Sequence, residues 1–118
     1  MGQIQDKSLQ FAVHSISFYK YLCEIKNEYV ISKQFLRCST SIGANVRESK
    51  NAVSNADFIN KLSIALKEAD ETQYWLEVLQ LSEIISNEEF DTINNEVKEL
   101  IALLTSIIKT SKEKNNLN

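Results

Sequence analysis

A chain of 118 residues with no proline and only two glycines, Gly2 and Gly43, has few means of making tight turns. Strands need frequent turns built on such residues, whereas long helices need only a few short connections. That constraint points to an all-α protein before any pattern is examined.

The stretch from Ser54 to Ser86 is the one the rest is organised around. Ser54 and Asp57 form a capping-box pattern, a hydroxyl followed three residues later by a carboxylate, and an acid in the first turn suits the helix dipole. From there Phe58, Leu62, Ala65, Ala69, Thr72, Leu76 and Leu79 recur at alternating steps of four and three, a seam that faces partner helices. Its middle is small, so another helix can approach closely. A second stripe runs through Ile64, Glu68, Glu71, Trp75, Val78 and Ile85, leaving Asn60, Ser63, Lys67, Asp70, Tyr74 and Glu77 as the polar face. Two readings stay open. Either the helix packs on its own bundle and on something else, or it has one wide core-facing surface.

Three further helices are predicted, giving ranges of about 5–27, 32–50, 55–86 and 88–111 in a single domain of residues 1–118, with a frayed polar tail over 112–118. The first carries two stripes: Leu9, Ala12, Ile16, Tyr19 and Cys23, and Phe11, Ser15, Phe18, Leu22 and Ile25. Ser32 is placed to cap the second, where Phe35, Cys38, Ile42, Asn45, Ser49 and Ala52 keep three-four spacing. Asn45 thus falls on a seam, where a buried amide commonly fixes register and partner choice; ligand binding is the other reading. Gly43 in mid-helix costs about 1 kcal/mol against alanine, which close approach of another backbone would justify. Ser86 and Glu89 form a second capping box ahead of the fourth helix, with Phe90, Ile93, Val97, Leu100, Leu104, Ile107 and Ser111 in register.

Net charge is −3, unevenly spread: residues 1–53 carry seven Lys/Arg against four Asp/Glu, and residues 54–118 carry six against twelve. An acidic chain is a poor general nucleic-acid binder, although Lys7, Lys20, Lys26, Lys33, Arg37, Arg47 and Lys50 could form a local basic face. No apolar run approaches a membrane span, and the N-terminus lacks a signal-peptide layout, so a cytoplasmic protein with no membrane partner is expected. Cys23 and Cys38 are not spaced as a metal pair and fall on apolar stripes, as free buried thiols would. The single histidine, His14, is expected at the edge of the core. No Glu-x-x-His pair, phosphate-binding loop, zinc cluster or nucleophile elbow occurs. No catalytic, metal or cofactor site is therefore predicted. Glu48, Glu68 and Glu71 are the carboxylates an enzyme would have to use; pairing of Glu68 and Glu71 with Arg37 or Arg47 is the structural alternative.

Gln34-x-x-Arg37 followed by Thr40-Ser41-Ile42-Gly43-Ala44-Asn45-Val46-x-Glu48 resembles the signature of the bacterial four helix bundle proteins, also called 23S ribosomal RNA intervening-sequence proteins. Asp57-Phe58-Ile59-x-Lys61-Leu62 and Ala65-Leu66-Lys67-Glu68-Ala69-x-Glu71-Thr72-x-Tyr74-Trp75-Leu76 are similar to one branch of that family. The resemblance covers about residues 9–85. Arg47 and Ser49 depart from the alanine and glycine that flank the glutamate in many members. It implies an up-down antiparallel four-helix bundle, in line with the periodicity, that assembles as a ring-shaped homopentamer of largely unassigned role. Its contacts with itself or across the bundle would then involve Phe18, Asn45, Ile64, Glu71 and Trp75. The accessory protein of diversity-generating retroelements is similar in fold and binds reverse transcriptase and nucleic acid. An RNA-binding accessory role, with Lys33, Arg37, Arg47 and Lys50 in contact, is therefore the alternative to an oligomeric scaffold that meets an RNA or protein partner.

Overall fold

The computed structural model describes the backbone of residues 2–117 and the side chains of residues 2–114. Four helices follow one another, α1 (Gly2–Glu24), α2 (Ile31–Ser49), α3 (Asn55–Leu81) and α4 (Asn87–Leu117), with no strand among the described residues. Each packs against its neighbour in sequence, and α1 closes on α4. Cross-bundle partners run in opposite order along each pair. Lys61 meets Glu48 while Arg37 meets Glu71, and Gln80 meets Asn87 while Asn55 meets Ser111, so the bundle is up-down and antiparallel. It is a rod of 52 × 21 × 20 Å.

Local chemistry sets the helix ends. Ser54 is extended (φ −159°, ψ 168°), and its hydroxyl accepts the Asp57 N–H at 3.0 Å. The Asp57 carboxylate in turn accepts the Val53 N–H at 3.2 Å. Ser86 and Glu89 satisfy each other's N–H groups at 3.1 and 2.7 Å. Such caps are worth about 1 kcal/mol each. The start of α2 differs from expectation. Ser32 does not cap it; the hydroxyl donates to the Glu28 carbonyl at 2.8 Å. The Glu28 carboxylate caps instead, accepting N–H groups from Val30, Ile31 and Ser32 at 3.2, 3.0 and 2.6 Å. An acid four residues before the expected cap offers two oxygens to three orphan donors, more than one hydroxyl can.

The central helix stops earlier than its apolar pattern predicts, at Leu81 rather than Ser86. Glu83 takes a left-handed conformation (φ 60°), and the N–H groups of Glu83 and Ile84 fold back onto the carbonyls of Gln80 and Leu79 at 3.0 Å each. Ile85, the last member of the second stripe, is buried, but from the connection and not from the helix. Asn27, also left-handed (φ 54°), ends the first helical run three residues short of the expected boundary. At the other end α4 continues through Leu117, where a frayed tail was expected from Lys112; Asn118 lies outside the described residues.

The core gathers the α3 seam of Leu62, Ala65, Ala69, Thr72, Leu76 and Leu79, all fully buried. Facing it are Phe35, Cys38, Ile42 and Val46 from α2, with Val97, Leu100 and Leu104 from α4. From α1 come Ile4, Phe11, Phe18 and Leu22, with Phe18 meeting Phe35 edge to face at 5.3 Å. Gly43 packs against α1: a Cβ there would stand 3.2 Å from the Ser8 carbonyl oxygen. A backbone oxygen cannot yield as a flexible side chain can. Gly43→Val should therefore push α1 from α2 and lower stability by about 1–3 kcal/mol in chemical denaturation.

The caps also carry a pH signature. Burial opposes the charged form of Glu28, but the N–H groups of Ile31, Ser32 and Val30 outweigh it and hold its carboxyl below the usual range. The Ser86 N–H does the same for Glu89, helped by Tyr21. Folded-state values below the ordinary 4.5 mean that this stability is complete above that pH and is lost as pH falls below it. Glu28→Gln/Glu89→Gln should be less stable at pH 7 and lose less between pH 5 and 3 than the native chain, as followed by urea midpoints.

Candidate functional site

The α1 helix decides which surfaces remain for partners. Its two stripes cannot both face the core, and the larger one wins: Phe11, Ser15, Phe18 and Leu22 turn inward, joined by Ile4 and Ser8. Of the other stripe, Ala12, Tyr19 and Cys23 are half-buried while Leu9 and Ile16 stand outside at 53% and 45% exposure, and Val13 beside them is 57% exposed. Leu9, Val13 and Ile16 lie at i, i+4 and i+7, on one side of the helix. Val13 was not part of the sequence-derived stripe, although its spacing from Leu9 was the signal. Leu9 and Ala12 border a shallow cleft with Thr40, Gly43, Ala44 and Arg47 across it. Its volume is about 240 Å³.

On the opposite side of α2, the outer edge of its contact with α3 is polar. Arg37 reaches both Glu68, at 3.5 Å, and Glu71. Lys61 reaches Glu48 at 3.3 Å. The three carboxylates singled out in the sequence are thus each engaged by a cation. Between these pairs Asn45 is half-buried and donates to the Ser41 carbonyl of its own helix at 2.9 Å. Val46, one residue on, holds the core position. The amide that does enter the core is Asn94, which accepts from Gln73 at 3.0 Å across α3 and α4. Sequence spacing missed it because Ile93, beside it, fitted the apolar register equally well.

The remaining positions disperse. Phe18 belongs to the core. Trp75 is half-buried against the core with its ring edge-on to Tyr74 at 4.9 Å, and its Nε1–H has no acceptor among the described residues. Ile64 is exposed on α3. Of the basic positions, Lys7 is paired with Glu99 and Arg37 with its two glutamates. Lys33 and Arg37 sit near the start of α2, Arg47 and Lys50 at its far end. His14 is exposed at the α1–α4 edge, 2.6 Å from a Glu96 oxygen. Burial raises the Cys38 thiol above its ordinary range, and Thr72 donates to its sulfur at 3.3 Å; such a thiol is a poor nucleophile. No group of His, Cys, Asp or Glu suited to a metal occurs among the described residues.

Arg37 is half-exposed, so its ion pairs are screened. A double-mutant cycle between Arg37→Met and Glu71→Gln should give a coupling of less than about 1 kcal/mol, shrinking as salt is added.

The family described as "23S rRNA-intervening sequence protein" matches residues 2–106. A crystal structure of a protein with unknown function from the S23 ribosomal protein family of Bacteroides thetaiotaomicron VPI-5482 is similar throughout. It is 56% identical, with 92% of this chain and 96% of that one covered and a TM-score of 0.90. No curated protein matches.

Proposed function

The chain belongs to the 23S rRNA-intervening sequence protein family, and from that footing we propose that it is a non-enzymatic, self-associating scaffold, with a homopentameric ring favoured, that serves an RNA or protein partner in the cytoplasm. The observation that carries the reading is the stripe of Leu9, Val13 and Ile16. Three large apolar side chains on one side of a helix, uncovered by their own chain, favour a protein contact.

Charge supports a second copy as the cover. The α1–α2 half carries an excess of cations and the α3–α4 half an excess of acids. Laying the α1 face of one copy on the α3 face of the next, where Ile64 is exposed and Trp75, nearly in line with it, is half-buried, joins apolar to apolar and basic to acidic. Such a contact uses two different patches, so it propagates from copy to copy and closes into a ring when the rotation permits. The cations already engaging Glu48, Glu68 and Glu71 favour a structural over a catalytic role for those carboxylates. Among the described residues no helix is long and apolar enough to cross a membrane, and two free thiols suit a reducing compartment.

Native mass spectrometry of protein purified without nuclease tests the proposal. A five-chain mass is expected, and Val13→Glu/Ile16→Glu should reduce it to monomer without loss of helicity. Trp75→Ala should shift the assembly toward smaller species. A native chain that runs as a monomer would overturn the scaffold reading, and a mass containing RNA would favour the nucleic-acid accessory role.

A further inference from the structure

Antiparallel packing sorts charge along the rod as well as between its helix pairs. Residues 2–13, 40–69 and 97–114 form the half that holds the α2–α3 connection, the start of α1 and the end of α4, with nine Lys/Arg against six Asp/Glu. Residues 14–39 and 70–96 form the other half, with four against ten. No contiguous stretch of sequence shows this division, because each helix contributes to both halves.

At the tip of the acidic half, the α1–α2 and α3–α4 connections come together. Lys26 from one and Glu83, Ile84 and Ser86 from the other line a single open cleft of about 390 Å³. This tip exposes Ile25, Tyr29, Val30 and Leu81, with Val30 at 74% and Leu81 at 82% exposure. Exposed Glu24, Glu77, Glu83, Glu88 and Asp91 surround them, and none of the five takes part in an ion pair among the described residues. Of the nearby cations, Lys26 lies over the Tyr21 ring, 5.7 Å from its centre.

We infer that this tip is a docking surface for a lysine- and arginine-rich segment of another protein that also carries apolar side chains. The acids draw such a segment in and set its orientation. The exposed valine, leucine, isoleucine and tyrosine give it apolar surface to bury. Nucleic acid is repelled by the same field. A second copy of this chain fits less well: its basic tip could answer the charge but exposes Val53 as its one large apolar side chain among the described residues. The surface lies at the end of the rod and the self-association stripe along its side, so the two proposals stand or fall separately.

The test uses the full chain in its native assembly and a synthetic amphipathic peptide of leucine and lysine, with the glutamate-for-lysine peptide as control. The lysine peptide should bind, the control should not, and amide exchange should slow at residues 24–30 and 80–91. Val30→Ser/Leu81→Ser changes exposed positions only and should weaken binding about tenfold. Glu99→Gln/Glu113→Gln, which removes charge from the other half of the rod, should change it by less than about twofold. Absence of binding overturns the inference. So does protection confined to the α1 stripe or the basic tip, equal weakening by both double variants, or protection of the acidic tip by a second copy without peptide.

Discussion

Exclusion of water from the α3 seam is the constraint on which the rest depends. The buried part of the seam carries nothing larger than leucine, and its middle is Ala65, Ala69 and Thr72. Short side chains let α2 come close enough for Thr72 to donate to the Cys38 sulfur at 3.3 Å. The α2–α3 contact is the most extensive in the bundle, and the α1–α4 contact is the thinnest. Across that thin side the described polar contacts are the Lys7–Glu99 ion pair and the hydrogen bond between His14 and Glu96. Hence α1 is held chiefly by α2, at the point where Gly43 lets the two backbones meet. A helix anchored along one side and turning its phenylalanines inward has to leave its opposite stripe outside. The apolar face offered to a partner is thus a consequence of the core.

A chain without proline, and with glycine only at Gly2 and Gly43, must end its helices by other means. Asn27 and Glu83 enter the left-handed region themselves, the second against the steric preference of its side chain. Carbonyls that would otherwise be orphaned are bonded by the N–H groups that follow. Carboxylates of Glu28, Asp57 and Glu89 satisfy the donors at the starts of α2, α3 and α4. These compact ends leave little chain to cover the tips, which is why loop residues such as Tyr29 and Val30 stand in solvent.

Two separations of charge coexist in the rod. The division between the α1–α2 and α3–α4 halves can be counted along the sequence. The division between its two tips appears only when four antiparallel helices interleave their segments. One distinguishes the sides and favours lateral association; the other distinguishes the tips and leaves them different even within a symmetric assembly.

The sequence by itself determined the fold class, the seam of α3, its cap at Ser54 and Asp57, the cap of α4 at Ser86 and Glu89, and the reason for Gly43. All of these rest on interactions between residues a few positions apart or on a period that a helix imposes on its own surface. Tertiary structure decided which of the two α1 stripes was buried, since both fit a helix and only packing against Phe35 and the α3 seam favours the phenylalanines. It placed Val46 and Asn94 in the core beside the expected Asn45 and Ile93, because a helix rotated by a small angle exchanges neighbouring residues at the boundary of its buried face. It stopped α3 at Leu81 although the apolar pattern runs on, since Ile85 can be buried from a turn as well as from a helix. The partner of Arg37 was likewise settled only in three dimensions, where Glu68 and Glu71 arrive from another helix, and so was the meeting of the two acidic connections at one tip.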